Sequence, residues 1–215
     1  MSTCLVGSEM CIRDRAGGGT VLLAAMLQFM NPAEAIPVHG VIQFTSNITR
    51  TWLLRKFVNW NIIFKFSLLL PIGIFIGLKI FQNIDGDNIK NLIGFFILLA
   101  LGIQNLKIID SLKLPTNLYL IVGFFTGILN ILVGVIAPLL AVIVKQSISD
   151  KKSIVGTLGY FGLIGNLIKI IGFTFIGFSF FEYIDTFLMI LPATLIGSRT
   201  VSYTHLRAHE TCGHL

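Results

Sequence analysis

Residues Leu118–Val144 read LYLIVGFFTGILNILVGVIAPLLAVIV, an apolar run without a charged side chain. A helix needs about 20 apolar residues to cross the ~30 Å hydrocarbon of a bilayer, and this run is longer. Near its middle stand Gly134 and Pro138, residue types that weaken or break a helix interior. The run therefore predicts one interrupted membrane span. Comparable stretches lie to either side: Ala16–Met30, Trp60–Phe81, Ile89–Ile109, Ser153–Phe178 and Phe181–Gly197, with a more polar helix over Pro32–Leu54. That makes about seven spans, the first truncated and an eighth expected beyond the last.

Composition agrees with this reading. The chain is 54% hydrophobic and 12% charged, where ordinary soluble domains are about a quarter charged. The expected fold class is all-α: a polytopic helical membrane protein in contact with the lipid bilayer. Connections are short and carry turn residues at Asn31-Pro32, Asp85-Gly86-Asp87, Asp110-Ser111 and Ser149-Asp150. Asn31, Pro32 and Glu34 suit the N-cap, N1 and N3 positions of a helix. The net charge of +6 is not a nucleic-acid signal, because Lys and Arg mostly flank the spans as they do beside lipid headgroups. Span order puts Lys79, Lys90, Lys145, Lys151 and Lys152 on one side and Arg55, Lys56, Lys107 and Lys113 on the other. Five against four leaves the orientation open.

The two ends need separate treatment. A DNA that encodes Leu5–Asp14 (LVGSEMCIRD) has a reverse complement that encodes VSYTHLRAHE, which is Val201–Glu210 residue for residue. Residues 1–15 and 201–215 are therefore read as sequencing-adapter tags, not native sequence, and kept out of the fold. The natural ends are expected to be missing. Cys4, Cys11, Cys212, His205, His209 and His214 all fall in these tags. With them go any thiol chemistry and the apparent H-x3-H metal pattern; no metal and no cofactor is expected.

Within residues 16–200 two halves match at an offset of 119. Asn47-Ile48-Thr49-Arg50 lies over Asn166-Leu167-Ile168-Lys169 and Gly40 over Gly159, while Leu70-Pro71 lies over Leu191-Pro192 at an offset of 121. The division is residues 16–115 for a first membrane repeat and 116–200 for a second, incomplete one. Four spans per copy is an even number, so both copies are expected to enter from the same side, as parallel repeats with a site between them.

Candidate site residues follow from two features. The first span of each half is interrupted, by Gly17, Gly18 and Gly19 in one and by Gly134 and Pro138 in the other. Broken helices leave N–H groups free for an anion; close helix packing by small residues is the competing reading. On the second span His39, Gln43, Ser46, Asn47 and Arg50 fall within an arc of about 100° at helical spacing. Gly162, Gly165, Asn166 and Lys169 form the matching arc of the sixth. Polar stripes on membrane helices face a cavity or a partner helix. Arg50 and Lys169 also suit snorkelling to the interface, and Asn47 and Asn166 suit interhelical hydrogen bonds. His39 reads as a proton-coupling group or as a packed core residue.

The order of these elements resembles the TauE/SafE sulfite exporter family. The resemblance rests on Ala16-Gly17-Gly18-Gly19-Thr20, then Pro37-Val38-His39-Gly40 with Gln43, Ser46-Asn47 and Arg50, then Arg55-Lys56-Phe57-Val58-Asn59-Trp60. Thr126-Gly127-Ile128-Leu129 through Pro138 is similar to the family's second glycine-proline element. Ala25 and Ile136-Ala137 depart from the family pattern. The resemblance implies a multi-pass permease of the bacterial inner membrane, with two four-span repeats and sulfite or a small sulfur-containing organic anion as substrate. Gly17–Gly19 and Gly134–Pro138 would cradle the anion, and Gln43, Ser46, Asn47 and Asn166 would donate hydrogen bonds. Arg50 and Lys169 would supply positive potential, and His39 would couple protons. Two rivals are a non-transporting membrane subunit and an intramembrane enzyme. The enzyme would need a nucleophile, metal cluster or carboxylate pair within the membrane, whereas Glu34, Asp85, Asp87, Asp110, Asp150, Glu182 and Asp185 all sit near span ends. The oligomeric state is left open.

Overall fold

A computed structural model describes residues 18–105, 114–134, 136–193 and 196. These residues form helices and connections, with no strand among those described. In chain order the helices are α1 (Gly18–Phe29), α2 (Pro32–Leu54), α3 (Trp60–Phe81), α4 (Gly86–Asn105), α5 (Leu118–Leu132), α6 (Ala137–Lys145) and α7 (Lys151–Phe175), followed by α8 (184–193). Short 3-10 turns at Arg55–Phe57 and Phe180–Tyr183 lead into α3 and α8.

Local chemistry sets several helix starts. The Asp150 carboxylate accepts the Ser153 amide at 2.8 Å and begins α7; the Asn59 side chain accepts the Ile62 amide at 3.3 Å and begins α3. Asn31 and Pro32 occupy the N-cap and N1 positions of α2 as expected. The Asn31 side chain, however, makes no capping bond, and only its carbonyl receives Glu34 and Ala35.

The surface and interior are inverted relative to a soluble protein. Phe29, Phe64, Phe95, Leu98, Phe175 and Met189 are exposed, while His39, Asn47, Thr126, Asn130, Asn166 and Lys169 are buried. Apolar exposure on this scale suits lipid, and buried polar groups suit a protein-lined interior. Among the described residues only α3 and α7 are each long and apolar enough to cross a membrane on their own; α1 and α5 are apolar but shorter. The seven expected spans are thus all helical where described, with two clear crossings among them.

The main correction concerns Leu118–Val144. It is not one interrupted span but a helical hairpin. The chain turns between α5 and α6, where Gly134 takes φ +77°. A side chain there would be strained, and a Cβ would also stand 2.9 Å from Leu23 Cδ2. Helix α6 then returns along α5, so that the Tyr119 hydroxyl donates to the Ile143 carbonyl at 3.3 Å and Ser147 Oγ to the Leu114 carbonyl at 3.1 Å.

This extra reversal changes which helices run together. α3 and α5 are parallel and packed backbone to backbone: a Cβ on Gly73 would meet the Phe124 carbonyl, one on Gly123 the Phe66 carbonyl, and one on Gly77 would lie against Ile128. Gly73 and Gly77 on α3 and Gly123 and Gly127 on α5 are both G-x3-G pairs, the spacing that lets membrane helices approach closely. α7 runs parallel to α3, with Trp60 against Tyr160, Phe66 stacked on Phe161 at 3.8 Å, and Phe81 against Phe173.

α2 and α7 are antiparallel. Gly40 faces Lys169, Asn47 faces Gly162, Arg50 faces Gly159 and Leu54 faces Gly156. The helices that match at offset 119 therefore run in opposite directions, not in the same direction as expected, because the hairpin shifts the parity of the chain. The charge tally shifts with it. Lys152 sits over the Phe57 ring, so Lys145, Lys151 and Lys152 share an end with Arg55 and Lys56. Lys79 and Lys90 lie at the other end, and Lys107 and Lys113 lie outside the described residues.

Candidate functional site

A cavity of about 90 Å3 opens between α2 and α7, closed on its other sides by α1, α5 and the α5–α6 turn. At roughly 10–15 Å3 per water it has room for several waters or one small polyatomic ion. From α2 it receives His39, Gln43, Asn47 and Arg50, and from α7 Val155, Leu158, Phe161, Gly162, Gly165 and Asn166. Gly19 comes from α1, Thr126 and Asn130 from α5, and Gly134, Ile136, Ala137 and Leu140 from the turn and α6.

The i, i+3/i+4 spacing of His39, Gln43, Asn47 and Arg50 keeps them on one face of α2, and α7 meets that face with Gly162 and Gly165. Small residues are required there: a Cβ on Gly162 would collide with the Asn47 amide, and one on Gly165 would stand 3.3 Å from Asn130 Nδ2. Three asparagines, Asn47, Asn130 and Asn166, thereby converge on one cavity from three helices. Asn166 Nδ2 donates to the Gly162 carbonyl at 2.8 Å, leaving its carbonyl oxygen and second N–H for other partners. No Asp or Glu lines the cavity, and Arg50 is its one fully charged side chain among the described residues.

His39 is buried, with Nε2 3.0 Å from the Gly19 carbonyl and Nδ1 without a hydrogen-bond partner. Gly19 is tightly apposed to α2, since a Cβ there would lie 2.9 Å from Gln43 Nε2. The first described turn of α1 and the start of α6 thus both reach the cavity. The start of α6 presents partial positive charge, although Pro138 in its first turn contributes no N–H and the Leu140 amide is taken by the Ile136 carbonyl.

Of the residues singled out in the sequence, Gly19, His39, Gln43, Asn47, Arg50, Gly134 and Asn166 come together in this cavity. Ser46, Gly18 and Pro138 do not line it, although Pro138 follows the lining Ala137; Gly18 is exposed. Gly17 lies outside the described residues. Lys169 does not snorkel: it is fully buried beside the site, its chain laid over Gly40. Lys65 donates to Thr116 at 3.0 Å and Asn117 at 2.8 Å ahead of α5.

Thr126 and Asn130 were not among the candidate site residues of the sequence, although Thr126 opens the second glycine-proline element. Their i, i+4 spacing on α5 is the same stripe signal that marked α2. Among the described residues there is no group of three or more His, Cys, Asp or Glu placed to hold a metal.

Comparison with known families settles the membership. The chain matches the family described as Sulfite exporter TauE/SafE over residues 16–211. It belongs to the TauE/SafE family. No curated protein and no solved structure matches it significantly. The TauE/SafE proteins are integral membrane exporters of sulfite and related sulfur anions, not enzymes. That accounts for the inverted surface and for polar groups gathered around an interior cavity.

Proposed function

We propose that this protein carries a small anion, sulfite or a sulfur-containing organic anion, across the bacterial inner membrane through the α2–α7 cavity. The observation that carries the reading is the convergence of Asn47, Asn130, Asn166 and Arg50 on an interior cavity lined by no carboxylate among the described residues. Amide donors and one guanidinium favour an anion over a cation. The start of α6 adds partial positive charge at Ile136 and Ala137, and the Gly134 turn brings it to the cavity wall. Gln43 and Asn47 donate from one wall, Asn130 and Asn166 from the others. His39, which lines the cavity and whose buried Nδ1 has no hydrogen-bond partner, is the group proposed to couple protons.

Residues 16–115 and 116–200 act here as two inverted copies. α2 and α7 begin 119 residues apart, at Pro32 and Lys151, and run antiparallel. At the same offset α1 pairs with α6. Inverted repeats around a midplane site, with interrupted helices at the substrate, support alternating access by movement of one half against the other. The rival non-transporting subunit makes the opposite prediction for the isolated protein.

The test is uptake of radiolabelled sulfite by proteoliposomes containing the purified protein, by the Asn47→Ala/Asn166→Ala variant, and by empty vesicles. Uptake above empty vesicles that collapses in the double variant is the expected result. Uptake equal to empty vesicles, with folded protein present, would sink the reading.

A further inference from the structure

The Lys169 side chain is fully buried, and Nζ has no hydrogen-bond partner. An ammonium held inside a membrane protein without an anionic partner is strongly disfavoured. Its Cδ and Cε lie over Gly40, next in sequence to His39, whose ring is close enough for the two charges to interact. Histidine cannot neutralise it. The only salt bridge among the described residues, Lys90 with Asp87 at 3.8 Å, is elsewhere. Lys169 is thus an amine built into the interior without the counter-charge that would stabilise its protonated form.

Its place has a mirror. Arg50 lies across Gly159, with Cδ and Cγ 3.3 and 3.4 Å from where a Cβ would stand. Lys169 lies across Gly40, with Cδ and Cε both at 3.4 Å. Each cation is 119 residues from the other, and so is each glycine. Because α2 and α7 are antiparallel, the two contacts sit toward opposite ends of the helix pair. One difference breaks the mirror: Arg50 lines the cavity and Lys169 does not. When two halves are related by an axis in the membrane plane, exchanging their arrangements produces the same molecule turned over. The cation that is covered now then becomes the cation that is exposed.

We infer that Lys169 is a second anion contact, engaged in the conformation opening to the opposite side of the membrane, as Arg50 is engaged in the conformation described here. The substrate passes from one cation to the other by way of the asparagine cluster between them. This rests on the permease reading above and adds a second station to it.

Sulfite uptake into proteoliposomes is measured for the wild type, Lys169→Met and Lys169→Arg, with the melting temperature of each followed with and without sulfite. Removing a buried unpaired ammonium in favour of an apolar chain is neutral or stabilising, so Lys169→Met is expected to melt no lower than wild type. Its uptake is expected to fall by roughly tenfold or more. Lys169→Arg is expected to keep part of the activity, and sulfite should still raise the melting temperature of Lys169→Met through the Arg50 cavity. Wild-type uptake matched by Lys169→Met would overturn the second contact and leave the permease standing. Absence of wild-type uptake would overturn both. Should Lys169→Met fail to assemble, single Arg50→Cys and Lys169→Cys variants decide, made with Cys4, Cys11 and Cys212 replaced by Ser. Labelling by a membrane-impermeant thiol reagent from opposite sides supports the inference, and labelling from the same side, or no labelling of Lys169→Cys, overturns it.

Discussion

The Lys169 side chain lies flat across Gly40, so that one residue without a side chain makes room for a buried cation. The contact is ordinary van der Waals spacing, and the neighbour is a flexible alkyl chain. Gly40→Ala is therefore expected to be tolerated and to gain up to about 1 kcal/mol from helix propensity. Gly40→Leu has no such room. It is expected to cost about 1–3 kcal/mol by overpacking and to displace Lys169. Thermal unfolding in detergent separates the two variants; equal melting temperatures would show that Lys169 does not need this space.

Backbone neighbours give a different outcome at α3 and α5. A Cβ on Gly123 would run into the Phe66 carbonyl, and one on Gly127 would stand 2.7 Å from the Ile74 nitrogen. Main chain cannot move aside as a side chain can, so alanine at either position is expected to cost about 1–3 kcal/mol or more. Gly94 on α4 meets nothing within 4 Å, and Gly94→Ala is expected to gain up to about 1 kcal/mol from helix propensity. Melting temperatures moving in opposite directions for Gly123→Ala and Gly94→Ala is the check. A loss in both would mean that the α3–α5 contact is not what distinguishes them.

Much of this arrangement is legible in the residues, and the topological failures have one origin. The apolar runs give the helices because each must bury its backbone groups internally. The α2 stripe is legible because Asn47 and Arg50 recur at helical spacing inside such a run. The hairpin tip is not. Leu118–Val144 has no charge at its middle, so Gly134 and Pro138 suit a kinked crossing as well as a reversal. Reading it as a crossing reverses the direction assigned to every later helix, and with it the repeat and the side assigned to Lys145, Lys151 and Lys152. Lys169 fails differently: a lysine late in a helix normally snorkels, and only the packing of α2 on α7 shows that it does not.

Asp150 offers a stability measurement outside the membrane. Hydrogen bonds from the Ser153 backbone, the largest influence, hold its carboxyl below the usual range. A carboxylate whose folded pKa is depressed contributes stability above its unfolded value of about 3.9. That contribution is lost as pH falls through the lower folded value. Asp150→Ala is expected to cost about 0.5–2 kcal/mol at neutral pH by removing the α7 cap. The difference from wild type should shrink below pH ~4. A difference unchanged between neutral pH and that range would show that the charge of Asp150 contributes nothing to the cap.

The hairpin also decides an orientation that span counting left balanced. Arg55, Lys56, Lys145, Lys151 and Lys152 now share the end where α2 stops and α7 begins, against Lys79 and Lys90 at the other, among the described residues. The opposite end also carries Glu34, Asp85, Asp87 and Glu182. Lysine and arginine near span ends are retained on the cytoplasmic side, whereas acidic residues have little say. We therefore predict that the α2–α3 connection faces the cytoplasm and the α3–α4 connection the outside. Single cysteines replacing Lys56 and Asn83, with Cys4, Cys11 and Cys212 changed to Ser, are labelled in intact bacterial cells by a membrane-impermeant maleimide. Asn83→Cys should react at once and Lys56→Cys only after permeabilisation. The reverse pattern would turn the molecule over and, with it, the side from which Arg50 meets its anion.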